Sequence, residues 1–250
     1  MNPIDEAIQA LLRARRSHAP AVAVALPDGA AAYAVQDGVA RELGWFGAGA
    51  PRRWKSGGPS RSAAQTHAPL PPDGVWASGH DARRWPFRLR GIESEIALRL
   101  ARDVDAALAA ELDVAAASGL VDAMCVAIEI VDSRWAEALD APATARLADL
   151  QSHGALVLGD WLPFVPRDWA TQVCRTTIGA RGPEERRGTH SLADPAFVLP
   201  AWLRHATRDG ATLRAGTVVT TGTWCGLLHA EPGDTVRTEF PGIGHTLVRL

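Results

Sequence analysis

Lysine is almost absent from this 250-residue sequence: of its 26 basic residues, 25 are arginine and one is Lys55. Arginine can replace lysine on a solvated surface, but its pKa is too high for it to gain and lose a proton. The single amine is therefore a candidate for proton transfer. A surface lysine that remains by chance would leave the same pattern, so both interpretations stay open.

Cysteine is also scarce. Cys125, Cys174 and Cys225 lie 49 and 51 residues apart and form no CxxC pair. Such scattered thiols indicate reduced, mostly buried side chains rather than a disulfide framework. The first residues read MNPIDEAIQALLRARR, with acids before bases, which is the reverse of a secretory signal peptide. We therefore expect a cytoplasmic protein.

Long apolar runs and excess charge are missing too. No run reaches the ~18 apolar residues that a membrane-spanning helix requires. The formal net charge of −2 provides no general attraction to nucleic acid. With 47% hydrophobic and 22% charged residues, the composition is that of an ordinary globular protein. We expect neither a membrane nor a nucleic acid as a partner.

The order of predicted elements favours an α+β fold. Residues 3–17 are predicted to form a helix that is capped by Asn2. Residues 47–75, which are rich in glycine, proline and serine and contain Lys55, are predicted to be irregular. Residues 181–190 have no apolar face and are predicted to be an exposed turn or mobile flap. Strands are dense over 216–250 without regular βαβ alternation, which predicts a mixed or rolled β core with helices outside.

Two glutamates stand one residue apart in the segment GIESEIALRL, residues 91–100. If the segment is a strand, its even positions form a mostly apolar face, and Glu93 and Glu95 share the other face. If it is a helix, the two glutamates diverge by ~200° and the apolar residues form no stripe. The pattern therefore predicts a strand with two carboxylates side by side, about 7 Å apart between Cβ atoms.

A third acid, Glu129, lies inside the apolar run CVAIEIVD, which is predicted to be a buried strand. If this strand pairs with residues 91–100 and Glu129 faces Glu93 and Glu95, each pair of charges at ~4 Å repels by ~4 kcal/mol. A divalent cation would relieve the repulsion, and carboxylate oxygens suit Mg²⁺, Mn²⁺ or Ca²⁺. The open alternative is a solvated Glu-x-Glu face that binds no metal.

Four motifs together carry a resemblance to a known family: GIESEIALRL, AIEIVDSRW, ADLQSHGALVLG and TTGT. In this order and at this spacing, they resemble the 2-keto-4-pentenoate hydratase and 4-oxalocrotonate decarboxylase family of the fumarylacetoacetate hydrolase superfamily. The likeness runs from about residue 3 to the C-terminus. It is strongest over residues 91–160 and 210–250.

The resemblance implies a mixed β-roll or sandwich core with flanking helices, and a Mg²⁺ or Mn²⁺ cofactor. It also implies an N-terminal helical and irregular region over 1–80, which carries the lysine loop, and a metal-binding catalytic domain over 81–250. The implied site residues are the metal ligands Glu93, Glu95 and Glu129, the catalytic Lys55 in WKSGG, and the substrate-binding Ser152 in LQSHG and Thr223 in the TGT turn. Near the cation, Lys55 is expected to have a lowered pKa.

The activity implied by the resemblance is that of a hydratase in aromatic-compound catabolism. Such an enzyme adds water to a 2-hydroxy-2,4-dienoate or 2-oxo-4-enoate, a small 2-oxo acid. The family also implies a homo-oligomer, with a possible complex between related decarboxylase and hydratase subunits. The alternatives are a 4-oxalocrotonate-type decarboxylase, an acylpyruvate or fumarylpyruvate C–C hydrolase, and a non-catalytic metal-binding partner subunit.

One departure from the family pattern leaves the reaction open. Family members carry an acid after the lysine, whereas GVWASGHD has none there, and the nearest acids are Asp73 and Asp81. Superfamily hydrolases use a Glu–His pair to direct water, and the candidate bases of that kind are His67, His80 and His153. Each of these histidines is more typical of a loop or packing position. We expect Asp132 to bond Arg134 or a backbone amide rather than a metal.

Overall fold

The computed structural model describes residues 2–165 and 167–250. Its α-helices are α1 Pro3–Ser17, α2 Gly29–Glu42, α3 Ala106–Glu111, α4 Val114–Ser118, α5 Ala143–Ala148 and α6 Leu199–Ala206. Its strands are β1 Arg53–Gly57, β2 Thr66–Pro69, β3 Val75–Ala77, β4 His80–Asp81, β5 Gly91–Leu100, β6 Val121–Val131, β7 His153–Leu158, β8 Leu162–Pro163, β9 Val173–Ile178, β10 Glu184–Arg187, β11 Val218–Thr220, β12 Leu228–His229, β13 Thr235–Phe240 and β14 Gly244–Arg249.

Two sheets form the core. The larger has the order β2-β1-β11-β5-β6-β7-β3, with β12 beside β5 and β8 beside β6, and the smaller has the order β10-β9-β13-β14-β4. In the larger sheet β1 is parallel to β11 and β3 to β7, while β6 runs antiparallel to both of its neighbours, β5 and β7. The predicted α+β fold with a mixed, rolled β core is confirmed.

The even-numbered face of β5 packs against the smaller sheet. Ile92 belongs to a buried apolar cluster that includes residues of β6, β7, β13 and β14. The Ser94 hydroxyl lies among buried hydroxyls and bonds Thr176 Oγ1 at 2.6 Å and Thr238 Oγ1 at 2.8 Å. This packing directs the odd-numbered face of β5, with its two glutamates, away from the smaller sheet.

A helical layer lies beside the larger sheet. Helices α1, α2 and α5 bury a common apolar cluster that includes Leu11, Val35 and Trp135. Helix α1 begins after Asn2, whose side chain accepts the Asp5 N–H at 2.9 Å, so the predicted N-cap is confirmed. In the parts of the chain that the structure describes, none of the helices has the length and apolar character that a membrane crossing requires.

Two segments differ from the sequence prediction. The prediction of an irregular stretch over 47–75 is wrong for β1 and β2, which pair with each other and join the larger sheet through β11. Within 181–190, four residues form β10, a fully exposed strand against β9. In both segments, pairing to a neighbouring strand supplies the backbone hydrogen bonds that local composition does not predict. The division of the chain at residue 80 stays a prediction.

Candidate metal centre

The three glutamates meet on adjacent strands at the middle of the larger sheet. In the antiparallel pairing of β5 with β6, Glu93 lies directly opposite Glu129, and Glu95 lies two residues further along the same face. One carboxylate oxygen from each side chain lies within 4.8 Å of the other two. The convergence that the strand pattern predicted is therefore present in the fold.

Burial makes this group of acids costly to ionise. Glu95 is 2% exposed and Glu129 is 1% exposed. Burial, followed by the charge of Glu129, raises the pKa of Glu93 to about 7. Burial, together with the charges of Glu129 and Glu93, raises the pKa of Glu95 to about 8. Burial first, and the crowding of like charges second, thus bring the pKa values of these two acids close to neutral pH.

Lys55 projects from β1 into this group. Its Nζ donates to Glu129 Oε1 at 2.5 Å and to the Gln151 carbonyl oxygen at 3.3 Å. Burial alone would lower the pKa of Lys55, but Glu129, Glu93 and Glu95 outweigh it and raise the pKa above its usual value. Three carboxylates around one amine thus raise this pKa, and the lowering expected beside a bound cation stays a prediction.

His153, at the start of β7, is the second group on Glu129. Its Nδ1 lies 3.0 Å from Glu129 Oε1, and both side chains are buried. Burial acts to raise the pKa of Glu129, but Lys55 and His153 bring it below its usual value. Sequence reasoning named His153 only as one of three possible bases, because nothing in LQSHG indicates a contact with Glu129.

The donor set fits a hard divalent cation. Within the described residues, Glu129 Oε2 is buried without a hydrogen-bond partner, which leaves a charged oxygen free to bind a ligand. Glu95 Oε2 accepts the Gly222 N–H at 3.0 Å, which holds that side chain in place. Closely spaced carboxylate oxygens without thiol or imidazole donors are the ligands that Mg²⁺, Mn²⁺ and Ca²⁺ prefer. Glu93, Glu95 and Glu129 could hold such an ion.

Ser152 reaches the site from a strained turn between α5 and β7. Leu150, Gln151 and Ser152 all have left-handed backbone angles, with φ of 53°, 54° and 58°. Each such residue costs about 1–2 kcal/mol, so the surrounding structure must hold the turn in this shape. The Asp132 N–H donates to the Ser152 carbonyl at 2.8 Å. Across the described chain, the buried Ser152 Oγ has no protein partner and remains available to a ligand.

The turn after β11 carries two threonines of different character. Thr223 lines the pocket, but its hydroxyl donates to the Gly226 carbonyl at 2.9 Å within the turn. Thr220 lies beside Lys55 in the sheet and also lines the pocket. As far as the described residues go, its buried Oγ1 has no hydrogen-bond partner. Thr220 is a candidate substrate contact that sequence reasoning missed, and the same role for Thr223 stays a prediction. Between them, Gly222 has φ of +106°, a backbone angle that favours glycine.

A pocket of about 760 Å³ opens over these groups. It is large enough for a small organic ligand. Its polar lining includes Lys55, Glu93, Glu95, Ser152 and Thr220, and its apolar lining includes Val131, Leu139, Leu147 and Leu227. Glu129 lies beneath this lining. The chain therefore combines a carboxylate cluster, one amine and free hydroxyls at the floor of one cavity.

The other candidates from the sequence have structural partners. Asp132 accepts the backbone N–H groups of Arg88 at 3.2 Å and Leu89 at 3.0 Å, which confirms its expected bond to backbone amides. His67 Nδ1 lies 2.9 Å from Ser56 Oγ, and His80 stacks on a tryptophan. Among the described pocket residues, the only acids are Glu93 and Glu95, so no other acid there takes the place of the missing family residue.

Curated relatives match a part of the chain. The 2-keto-4-pentenoate hydratase of Paraburkholderia xenovorans (strain LB400) is 30% identical over 155 residues, which cover 61% of this chain and 56% of that protein. A 2-keto-4-pentenoate hydratase of Burkholderia vietnamiensis (strain G4 / LMG 22486) is 33% identical over 156 residues, which cover 61% and 57%. The chain thus spans just over half the length of these relatives.

Solved structures match over almost the whole chain. The 4-oxalocrotonate decarboxylase from Pseudomonas putida G7, complexed with magnesium and adipate, has a TM-score of 0.82 at 16% identity. The match covers 98% of this chain and 96% of that one, and it shows a shared fold. The family model described as fumarylacetoacetate (FAA) hydrolase C-terminal matches residues 56–250. Because that match covers well over half of the sequence, the chain belongs to the fumarylacetoacetate hydrolase family.

Proposed function

We propose that the protein is a divalent-metal-dependent hydratase that adds water to a 2-hydroxy-2,4-dienoate or the corresponding 2-oxo enoate. The observation that carries this proposal is the cluster of one half-buried and two buried glutamates with one amine, Lys55, at the floor of the pocket. The two hydratases that resemble the chain at 30% and 33% identity support the same reaction class.

Glu93, Glu95 and Glu129 would hold Mg²⁺ or Mn²⁺. When bound, the cation supplies Lewis-acid polarisation of the 2-oxo group of the substrate. The decarboxylase of the same fold is described in complexes with calcium and with magnesium, which supports a hard divalent ion in this class of site. Glu129 Oε2 has no hydrogen-bond partner among the described residues, and this supports its role as a metal ligand.

Lys55 is the group we assign to proton transfer. It holds a proton at Nζ beside Glu129 and lines the pocket. In the proposed reaction, Nζ delivers this proton to the far end of the dienol, and the 2-hydroxyl group gives its own proton to solvent, which yields a 2-oxo-3-enoate. Water then adds at C4 while C3 gains a proton, and Lys55 recovers its own proton from the surrounding solvent. Glu129 and His153 orient the amine and keep it in a fixed position.

The free hydroxyls would bind the substrate carboxylate. Ser152 Oγ and Thr220 Oγ1 are buried, line the pocket and, in the described parts of the chain, donate to no protein acceptor. A carboxylate placed between them would receive two hydrogen bonds and exclude water from the reacting carbons. Thr223 at the rim is the third proposed substrate contact.

The Glu129–His153 contact is the observation that would favour a C–C hydrolase. His153, however, is buried beneath Glu129 and is not part of the pocket lining. A base must lie within hydrogen-bond reach of the water that it activates. The contact therefore favours an orienting role for His153, and the hydratase remains the better supported reaction. A decarboxylase would use the same groups and is separated by its product.

We also propose a cytoplasmic location and an oligomeric assembly for the protein. Cys125, Cys174 and Cys225 are free thiols in buried positions, which supports a cytoplasmic location with reducing conditions. A homo-oligomer, and a complex with a related decarboxylase or hydratase, remain proposals that rest on the family resemblance. Sedimentation of the purified protein would measure the number of subunits.

The test is a turnover assay with 2-hydroxypenta-2,4-dienoate and added Mg²⁺ or Mn²⁺, followed by loss of dienol absorbance. We expect metal-dependent consumption and a 4-hydroxy-2-oxo acid as the product, identified by NMR. Release of CO₂ from a dicarboxylic substrate would instead identify a decarboxylase. A protein that binds metal but turns over neither dienoates nor acylpyruvates would be a non-catalytic subunit.

A further inference from the structure

Arg146 is a positively charged side chain in the pocket that the proposed reaction does not use. It lies on α5, is half-buried and belongs to the pocket lining. Its backbone N–H continues the helix by donating to the Pro142 carbonyl. Its guanidinium forms no side-chain hydrogen bond and no ion pair within 4.0 Å with any residue that the structure describes.

Other arginines beside the same turn are paired. Arg15 and Arg134 both donate to Asp149 Oδ1, at 3.1 Å and 2.7 Å. These two guanidiniums have carboxylate partners because a charge withdrawn from water is costly without one. Arg146 lies three residues before Asp149 but does not share this ion pair. Its fork of N–H donors therefore remains available to a ligand in the pocket.

Arg146 and the glutamates belong to different walls of the pocket. Glu93 and Glu95 project from β5 in the larger sheet, whereas α5 belongs to the helical layer that packs around Trp135. In the described chain, no ion pair joins Arg146 to either glutamate. The pocket thus contains a positive group that is separate from the proposed metal centre, with Leu139 and Leu147 in the apolar lining beside it.

We propose that Arg146 binds a second carboxylate at the distal end of the substrate, so that the preferred ligand is a dicarboxylic 2-oxo acid. This inference rests on the proposed function, in which the 2-oxo acid end lies at the glutamates. A planar guanidinium matches a carboxylate with two parallel hydrogen bonds. An uncharged substrate tail would cover Arg146 and remove water from it without providing an acceptor. Arg146 is therefore a specificity-determining residue.

The test compares two unreactive ligands of equal carbon number, 2-oxoadipate and 2-oxohexanoate, by calorimetry on the full chain loaded with Mg²⁺. We expect the wild-type protein to bind the dicarboxylate at least about tenfold more tightly than the monocarboxylate. The substitution Arg146→Gln should remove this preference by weakening the binding of 2-oxoadipate, while the affinity for 2-oxohexanoate stays the same or rises because no guanidinium is desolvated. Arg146→Lys should retain a part of the preference for the dicarboxylate, because the lysine ammonium keeps the positive charge but not the two parallel N–H donors of the guanidinium.

Arg102→Gln is the matched control, because Arg102 is exposed and outside the pocket lining. This variant should keep the wild-type preference, and equal melting temperatures of all variants would show that the fold is retained. Equal binding of both ligands by the wild-type protein would overturn the assignment of Arg146 and leave the proposed function standing. A loss of both affinities in Arg146→Gln would overturn it as well, because Arg146 would then bind the shared 2-oxo acid end. If the Mg²⁺-loaded protein bound neither ligand, the proposed function and this inference would both fail.

Discussion

Among the described residues, the buried Asp149 and the cluster of Glu93, Glu95 and Glu129 have different surroundings. Asp149, which is fully buried, accepts bonds from the side chains of Arg15 and Arg134 and from the Arg134 N–H at 2.9 Å. Glu93, Glu95 and Glu129 share one amine, Lys55. Asp149 thus has two positively charged partners for one carboxylate, whereas the glutamate cluster has three carboxylates for one amine.

The difference separates a structural ion pair from a binding site. At Asp149 the charges are compensated by the protein itself, and the network links α1 to the turn before β7. At the glutamate cluster the compensation is incomplete, and burial together with the neighbouring carboxylate charges raises the pKa values of Glu93 and Glu95. A chain that buries uncompensated charge gains stability when a cation binds there. We expect Asp149 and the glutamate cluster to respond to substitution as differently as their surroundings suggest.

The largest expected effect concerns the amine. Lys55→Arg keeps the positive charge beside Glu129 but replaces the amine with a guanidinium, which cannot give up a proton to the substrate. We expect kcat with 2-hydroxypenta-2,4-dienoate to fall by about 10²–10⁴-fold. Calorimetric Mg²⁺ affinity should stay within a few-fold of the wild-type value. Rates like those of the wild-type protein in this variant would remove Lys55 from the mechanism.

The second prediction concerns stability and contrasts the two groups directly. Asp149→Asn leaves two half-buried guanidiniums without a carboxylate and should lower the free energy of unfolding by about 3 kcal/mol. Glu95→Gln, measured in EDTA, should leave it unchanged or raise it, because a crowded carboxylate is removed. Urea denaturation of both variants measures the two values. Equal destabilisation by both substitutions would show that the glutamate cluster is as well compensated as Asp149.

The third prediction is a smaller effect of pH on the melting temperature. Because the folded-state pKa values of Glu93 and Glu95, about 7 and about 8, lie above the usual 4.5, their contribution to stability is present at low pH. It is lost as the pH rises towards about 8. Mg²⁺ should therefore raise the melting temperature by about 2–4 °C more at about pH 8.5 than at about pH 6. Glu95→Gln should reduce this difference, and an equal gain at both pH values would contradict the account.

The parts of the site that are on long strands could be predicted from the sequence. Alternation along GIESEIALRL assigned Glu93 and Glu95 to one face, and that face is the pocket side of β5. The apolar run around Glu129 indicated a buried strand. Because a buried carboxylate is costly without a partner, its position in that strand indicated a binding site. These signals are local, because strand periodicity depends only on neighbouring residues.

The remaining parts depend on contacts between distant segments. Lys55 lies on a five-residue strand that pairs in parallel with residues 218–220, and no local pattern indicates that pairing. The left-handed turn of Ser152 contains no glycine that would mark it. His153 and Thr220 became candidates only through what lies next to them in space. Tertiary pairing decided these positions where local propensity was weak.

The central claim is that the glutamate cluster is a site for one hard divalent cation, unlike the compensated Asp149. Its most direct measurement is a calorimetric titration of the metal-depleted protein with Mg²⁺ and Mn²⁺, alongside Glu129→Gln and the exposed control Glu231→Gln. We predict one ion per chain for the wild-type protein and the control, and an affinity at least about a hundredfold weaker for Glu129→Gln. Undiminished metal uptake by Glu129→Gln, or none by the wild-type protein, would contradict the account.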